Sequence, residues 1–319
     1  MQFGFRIPIR GPLANREDIA AIARAGDRLG FKLVTVSDHI VVPQSIASTY
    51  PYSETGEWPG TAFEESIEQL TLLAFLAGVT ETVRLVPAVM VVPHRSPLHC
   101  AKILTTIDLL SKGRLTVGCG AGWMREEFEA LGVPTYDDRG TLVDEYLNAF
   151  KKIWTEDAPT VEGKYVRFSG VSVLPHPVQK PYPPLWIGGE SGPALRRAAR
   201  LGDGWFPIGN NPKFRLETPD LFRARRDTLF GLLEQAGRDP KDFTLAMSAQ
   251  WSTYGKDQTG PTGGRRIFSG NAQAFLDDAA TFAGLGLTSI VINFQYPTRA
   301  ETLDRMQAFS EEVIAKLPG

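Results

Sequence analysis

The sequence is poor in the residues that cross-links and metal centres need. Only two cysteines, Cys100 and Cys119, occur in 319 residues. They are too few for a secreted disulfide framework and lack the paired spacing of a zinc site. Among the histidines, His94 and His99 lie five residues apart and His176 lies between two prolines, so no set of clustered ligands is apparent. We therefore expect two reduced core thiols and no metal centre.

The chain also lacks a strong charge of either sign and any long apolar run. Its formal net charge is −2, whereas nucleic acid or an anionic membrane would favour a strongly basic face. No stretch of about 18 apolar residues occurs, and residues 1–10 contain no apolar run preceded by basic residues. We expect a cytoplasmic protein that binds a small molecule, with no nucleic-acid and no membrane partner.

Short β-branched apolar runs alternate with segments of helical period along the chain, which is typical of βαβ units that build a parallel sheet. The predicted strands are 3–7, 33–37, 84–91, 115–118, 184–188, 204–207, 243–249 and 289–293. Barrels of this kind commonly reach this length as one domain. The sequence therefore predicts an α/β fold, a (β/α)8 TIM barrel in a single domain over residues 1–319.

Three segments are longer than the minimal repeat, and they predict insertions after strands 2, 4 and 7. Residues 43–60 and 251–270 follow the second and seventh strands, and the fourth is followed by two helices and an extended piece, 160–173, that suggests a small hairpin. Long loops that follow barrel strands lie over the C-terminal mouth, where they are usually lids or binding loops. Tyr50, Tyr52 and Trp58 of the first insertion are candidates to close over a substrate.

The second predicted strand ends in Asp38 and His39, at the position where barrel enzymes keep catalytic groups. Successive strand residues point to opposite faces, so one of the two side chains can contact a coenzyme while the other faces a substrate. The alternative is that Asp38 caps the following loop and His39 is a histidine satisfied at the mouth. We take Asp38 and His39 as the candidate catalytic residues.

Two glycine-rich turns follow the fourth and fifth predicted strands, at 118–123 and 188–192. Glycine lets the backbone approach an anion or a flat ring, and a helix N-terminus favours negative charge. The spacing does not match the Gly-x-Gly-x-x-Gly pattern of a dinucleotide fold. For the second turn we predict a phosphate site formed by the amides of 189–191 and the Ser191 hydroxyl; the alternative is a tight turn with Ser191 as N-cap.

Glu126 and Glu127 follow the first of these turns, at the start of a predicted helix. Carboxylates in the first turn of a helix complement its dipole. We therefore interpret both as dipole-complementing residues and not as catalytic acids.

These motifs resemble those of the luciferase-like flavin monooxygenases and F420-dependent oxidoreductases, over nearly the whole chain. The segments that carry the resemblance are 35–39, 89–97, 118–123 with 127–128, and 186–189 with 197–199 and 202–205. The resemblance is greatest to the F420-dependent branch. It implies a bacterial luciferase-like barrel, a homodimer, and the coenzyme F420 at the mouth, with FMN as the alternative.

The resemblance also implies roles for individual residues. It places a non-proline cis peptide at Ala88–Val89, where the bulge bends the central ring of the deazaflavin, and it puts the first turn beside the ring and the second around the phosphate. The cofactor-binding residues that it implies are Asp38, Ala88, Val89, Gly120, Ala121, Gly122, Trp123, Gly188, Gly189, Glu190 and Ser191.

His39 matches a histidine near the hydride-transfer centre of the sugar-phosphate dehydrogenases in this superfamily. Those enzymes carry a glutamate where this chain has Trp123, so glucose 6-phosphate is not implied as substrate. An indole there suggests a larger or less polar substrate, or a proton supplied by His39 or water.

Together the residues and the resemblance predict an oxidoreductase that transfers hydride between F420 and a small organic substrate. One alternative is an FMN-dependent monooxygenase of the same fold. The other is a noncatalytic flavin- or deazaflavin-binding protein.

Overall fold

A ring of parallel strands lies at the centre of the computed structural model, which describes residues 1–60, 65–260 and 263–317. In chain order the strands are β1 (Gln2–Arg6), β2 (Leu33–Val36), β3 (Arg84–Pro87), β4 (Met90–Val91), β5 (Val117–Gly120), β6 (Val161–Glu162), β7 (Arg167–Phe168), β8 (Leu185–Ile187), β9 (Gly204–Trp205), β10 (Thr244–Ser248), β11 (Thr253–Tyr254), β12 (Ser269–Gly270) and β13 (Ser289–Ile292).

The strands pair in the order β3-β2-β1-β13-β10-β9-β8-β5-β4. Because β3 and β4 are the two halves of one interrupted strand, the nine strands occupy eight positions, and a bridge between Leu85 and Leu115 joins the ends of the ring. All eight predicted strands are present, and the predicted TIM-barrel fold is confirmed.

Two strands differ from their predicted bounds. The third is interrupted at residues 88–89, and the fourth runs over 117–120 instead of 115–118. The shift in the fourth strand arises because its continuous pairing with the fifth begins only at Val117, opposite Leu185. Its carboxyl end therefore includes Gly120, two residues further into the mouth than predicted.

The helices surround the ring. They are α1 (Arg16–Arg28), α2 (Gln69–Val79), α3 (Pro97–Leu110), α4 (Arg125–Ala130), α5 (Arg139–Thr155), α6 (Gly192–Leu201), α7 (Pro219–Gln235), α8 (Ala272–Gly284) and α9 (Arg299–Glu312). Helix α1 shows why they begin and end where they do: the Asn15 side chain accepts from the Asp18 amide at 3.0 Å, and Gly30 has φ +85° just after the last turn. Within the described ranges, no helix is both long enough and apolar enough to cross a membrane.

Side chains alternate between the two faces of the barrel wall. On β1, Phe3 points outward and packs edge-on against Phe309 of α9, with 5.0 Å between the ring centroids. Because side chains alternate along a strand, Gly4 and the last residue of the strand, Arg6, point into the barrel. The interior is filled by a separate cluster of buried side chains: Leu33, Val86, Trp186, Phe206, Ala246 and Val291. This plug leaves the carboxyl ends of the strands as the place for a cavity.

The insertions were predicted in the right places. The expected hairpin forms as the antiparallel pair β6 and β7, in which Val161 lies opposite Phe168. The insertion after the seventh strand position contains the short parallel pair β11 and β12. Residues 261–262 of that insertion lie outside the described residues.

Candidate active site

A cavity of about 920 Å³ opens at the carboxyl ends of the strands. All of the predicted site residues line it, although they come from four different strand ends. They are Asp38, His39, Ala88, Val89, Gly120, Ala121, Gly122, Trp123, Gly188, Gly189, Glu190 and Ser191. The four strand ends therefore meet at one cavity, as the predicted barrel requires.

The peptide bond between Ala88 and Val89 is cis, as the resemblance implied. The glycines of the neighbouring strands make room for this bulge. A Cβ atom at Gly118 would lie 2.1 Å from the Pro87 carbonyl oxygen, and one at Gly120 would lie 2.5 Å from Val89 Cγ2. The sequence alone suggests that these glycines let a ligand approach the backbone. In the structure, packing of the bulge already requires them.

Asp38 has a different place from the one expected. Its side chain has no exposed surface, and Arg95 binds both carboxylate oxygens, each at 2.9 Å. The Val91 amide donates to the same carboxylate at 2.8 Å. These donors bind both carboxylate oxygens, so Asp38 fixes the segment after the bulge, while its roles in catalysis and ring contact stay predictions.

His39 faces the cavity and is held from behind by a buried carboxylate. Its Nδ1 lies 2.9 Å from Glu127 Oε2, while Glu127 Oε1 accepts from the Ile40 amide at 2.9 Å. Burial opposes ionisation of Glu127, but the hydrogen bond from His39 and the nearby imidazoles outweigh it and lower the pKa of this carboxyl below 4.5. An ionised carboxylate can only accept, so His39 Nδ1 donates, and Nε2 is left for a ligand.

His94 lies on the other side of Glu127. Its Nδ1 is 3.7 Å from Glu127 Oε1, and its ring packs edge-on against Phe128 at 4.9 Å between centroids. Within the described residues neither of its ring nitrogens has a hydrogen-bond partner. Burial lowers the pKa of His94 despite the attraction of Glu127, which favours the neutral form of this histidine.

Aromatic side chains form the wall of the cavity beside His39. The Trp58 ring lies 5.1 Å and the Trp123 ring 6.4 Å from the imidazole centroid, and Tyr50 packs edge-on against Trp123 at 5.0 Å. Tyr52 also lines the cavity. The predicted lid aromatics therefore lie against the site, where they offer an apolar surface to a ligand.

The turn after β8 is held rigidly at the start of α6. Gly189 has φ +91°, and its carbonyl accepts from Trp205 Nε1 at 2.8 Å. The Glu190 carboxylate accepts from the Ile208 and Gly209 amides, both at 2.9 Å, and burial raises its pKa. The Glu190 side chain thus anchors a neighbouring loop.

This turn fits an anion such as a phosphate. The amides of Gly189 and Ser191 have no acceptor within the described residues. Arg139 and Arg197 line the same cavity, and Arg197 also pairs with Asp144 at 2.5 Å. The Ser191 hydroxyl accepts from the Ala194 amide at 3.4 Å. The N-cap alternative for Ser191 is therefore observed, and its hydroxyl hydrogen can still be donated to an anion.

Sequence reasoning missed several residues of the site, among them Glu127 and Arg6. Glu127 is in the first helical turn, as predicted, but it is buried and supports His39 instead of only complementing the dipole. Arg6 lines the cavity as the last residue of β1. An arginine at the end of a predicted strand, in phase with inward-facing residues, was the available signal.

The comparisons with known proteins agree with this geometry. Residues 1–258 match the sequence profile of the luciferase-like monooxygenases. An uncharacterized protein of Mycobacterium tuberculosis is 28% identical over 299 residues, 93% of each chain. The FMNH2-dependent dimethylsulfone monooxygenase of Pseudomonas putida is 34% identical over 178 residues, 55% of this chain and 49% of that enzyme.

Solved structures share the whole fold. The coenzyme F420-dependent tetrahydromethanopterin reductase of Methanopyrus kandleri superposes with a TM-score of 0.75 over 99% of both chains, at 16% identity. At such low identity the likeness concerns the fold.

Proposed function

The chain belongs to the luciferase-like monooxygenase family, and we propose that within it the protein is an oxidoreductase that transfers hydride between F420 and a small organic substrate. When bound, F420 supplies the ring carbon that gives or takes the hydride. Residues 120–123 and 88–89 would lie beside the ring system. The amides of 189–191, with Arg139 and Arg197, would hold the phosphate.

The observation that carries this proposal is the hydrogen bond between His39 Nδ1 and the buried Glu127 carboxylate. Oxidation of an alcohol to a carbonyl removes one hydride and one proton, so the site needs a proton acceptor beside the place where hydride leaves. His39 lines the cavity, and its Nδ1 donates to Glu127. Nε2 can therefore accept the proton from the substrate hydroxyl, and it returns the proton in the reverse direction.

A second candidate is an FMN-dependent monooxygenase. The likeness to the Pseudomonas enzyme, which depends on FMNH2, favours it over the part of the chain that aligns. The same cavity would also suit a flavin, because residues 88–89 and 120–123 would contact its ring and the turn at 188–191 would contact its phosphate.

Titration of the purified protein separates these candidates. Trp58 and Trp123 line the cavity, so their fluorescence should respond when a ring system enters. We expect quenching by F420 at lower concentration than by FMN. Tight binding of FMN without any response to F420 would reject the deazaflavin and leave the monooxygenase.

Substitution of His39 tests catalysis apart from binding. The variant H39A should bind the coenzyme as the unaltered protein does and lose turnover about 10²- to 10⁴-fold across a panel of alcohols and carbonyl compounds. H99A is the matched control, since His99 is exposed on α3. Unchanged turnover in H39A would favour the noncatalytic binding protein or a different proton acceptor.

A further inference from the structure

Arg6 carries more hydrogen-bonding capacity into the cavity than the protein uses. It ends β1 on the inner face, and its Nη2 donates to Ser37 Oγ at 3.1 Å. Within the described residues this is its single side-chain hydrogen bond. A guanidinium has five N–H donors in a planar fork, so most of them are left for a ligand or water.

No carboxylate among the described lining residues neutralises Arg6. Asp38 is bound by Arg95, Asp137 lies against Arg125, and Glu190 accepts from two backbone amides. Burial lowers the pKa of Arg6, with Tyr50 opposing this and Arg10 adding to it, and no acidic side chain contributes. A partly buried cation without a counter-charge is costly, and an anionic ligand would remove that cost.

The position of Arg6 distinguishes such an anion from the coenzyme phosphate. In the ring of eight strand positions, β1 lies four positions from β8, so Arg6 and the turn before α6 lie on opposite sides of the mouth. In contrast, β2 is the immediate neighbour of β1, and Ser37, which binds Arg6, is two residues before His39. An anion on Arg6 is therefore on the same side of the cavity as the proposed proton acceptor.

We propose that the substrate carries an oxyanion, a carboxylate, sulfonate or phosphonate group, that binds the free donors of Arg6. This inference rests on the proposed function, because it assigns a substrate class to the same site. The aromatic surfaces of Tyr50, Trp58 and Trp123 would contact an apolar body attached to the oxyanion. The substrate class is thus an organic acid whose reacting carbon lies toward His39.

Binding of small aromatic probes to the coenzyme-free protein tests this. The anionic probes are benzoate, benzenesulfonate and phenylphosphonate, and the neutral counterparts are benzamide, benzenesulfonamide and dimethyl phenylphosphonate, all followed by tryptophan fluorescence. We expect at least one anion to bind more tightly than its neutral counterpart, and the tightest of the three identifies the oxyanion. In R6Q that anion should bind about 10- to 100-fold more weakly, as expected for loss of charge-assisted hydrogen bonds.

Two further variants control for charge and folding. R6K keeps the charge but loses the planar fork, so its affinity for the anion should lie between those of the unaltered protein and R6Q. R16Q removes an arginine whose side chain is 82% exposed on α1 and should bind every probe unchanged. The thermal midpoint of R6Q should not fall, because the substitution removes an uncompensated charge.

Three results would overturn the inference. The first is that no anion binds more tightly than its neutral counterpart, and the second is that the affinity is the same in R6Q. The third is that R6Q weakens F420 or FMN as much as the anion, because Arg6 would then serve the coenzyme. Failure of both coenzymes to bind, with anion binding still dependent on Arg6, would reject the proposed function and support the oxyanion site.

Discussion

Replacing Glu127 by glutamine should move a proton from one nitrogen of His39 to the other. Glu127 Oε1 accepts from the Ile40 amide at 2.9 Å and from the Val41 amide at 3.4 Å. In E127Q the side-chain oxygen must stay with these amides, because the NH2 group cannot accept from them. The NH2 group then faces His39 Nδ1, which has to become the acceptor, so Nε2 carries the hydrogen.

The structure gives a magnitude for this change. A charge-assisted hydrogen bond contributes about 1.5–3 kcal/mol and a neutral one about 0.5–1.5 kcal/mol, so E127Q should lower the free energy of unfolding by about 1–2 kcal/mol. Because Glu127 is 1% exposed, solvent screening reduces this little. A neutral His39 with hydrogen on Nε2 cannot accept a substrate proton, and turnover in the oxidative direction should fall about 10²- to 10⁴-fold.

Nuclear magnetic resonance can observe the tautomer without a known substrate. The chain has four histidines, and the signals of His39 are those absent from H39A. Two-bond proton–nitrogen correlations at alkaline pH, where imidazoles are neutral, should show hydrogen on Nδ1 in the unaltered protein and on Nε2 in E127Q. Urea unfolding of both proteins measures the stability difference.

E126Q is the matched control. Glu126 is the adjacent carboxylate of the same helical turn, and its Oε1 accepts from the Ala47 and Ser48 amides instead of contacting His39. This variant makes the same change of charge and should leave the His39 tautomer as it is. Hydrogen on Nε2 in the unaltered protein, or an identical tautomer in E127Q, would refute the reasoning.

Further outcomes are expected from other positions and from the pH dependence. G118A should destabilise the fold by about 1–3 kcal/mol through overpacking against the bulge, whereas G231A, where nothing lies within 4 Å of the new Cβ, should stabilise α7 by about 0.5–1 kcal/mol; urea unfolding measures both. D38A should cost about 1.5–3 kcal/mol, since it removes the bidentate partner of Arg95 while Glu68 still binds that arginine, and the thermal midpoint should drop accordingly. The folded protein holds the pKa of Glu127 below its ordinary value of 4.5. The ionised carboxylate therefore stabilises the fold above pH 4.5, and this stabilisation is lost as the pH falls through the folded pKa. The difference in unfolding free energy between E127Q and the unaltered protein should therefore close when urea unfolding is repeated in acid.

Strand positions and the rim of the mouth followed from the sequence because each depends on local pattern. Alternating apolar runs give the strands, and residues that follow parallel strands meet at one end of the barrel whatever the loops do. That is why Asp38, His39, Trp123 and Gly189 line a single cavity although up to about 150 residues separate them along the chain.

The direction of each side chain at the rim was not predictable in the same way. Asp38 and His39 are neighbours in sequence, yet Arg95 binds the first and Glu127 the second. The contacts of each side chain are decided by partners 57 and 88 positions away in the sequence. A strand-end motif therefore locates an active site without assigning the roles within it.

Glycines near a predicted site have the same ambiguity. Gly118 and Gly120 were attributed to a ligand, but the contacts that exclude a side chain there come from Pro87 and Val89. The first turn is thus shaped by the strand beside it, while at the second turn the amides of 189 and 191 have no acceptor among the described residues. Unsatisfied donors indicate a ligand more directly than glycine does, and the same criterion identifies Arg6, a cation whose counter-charge the described protein does not supply.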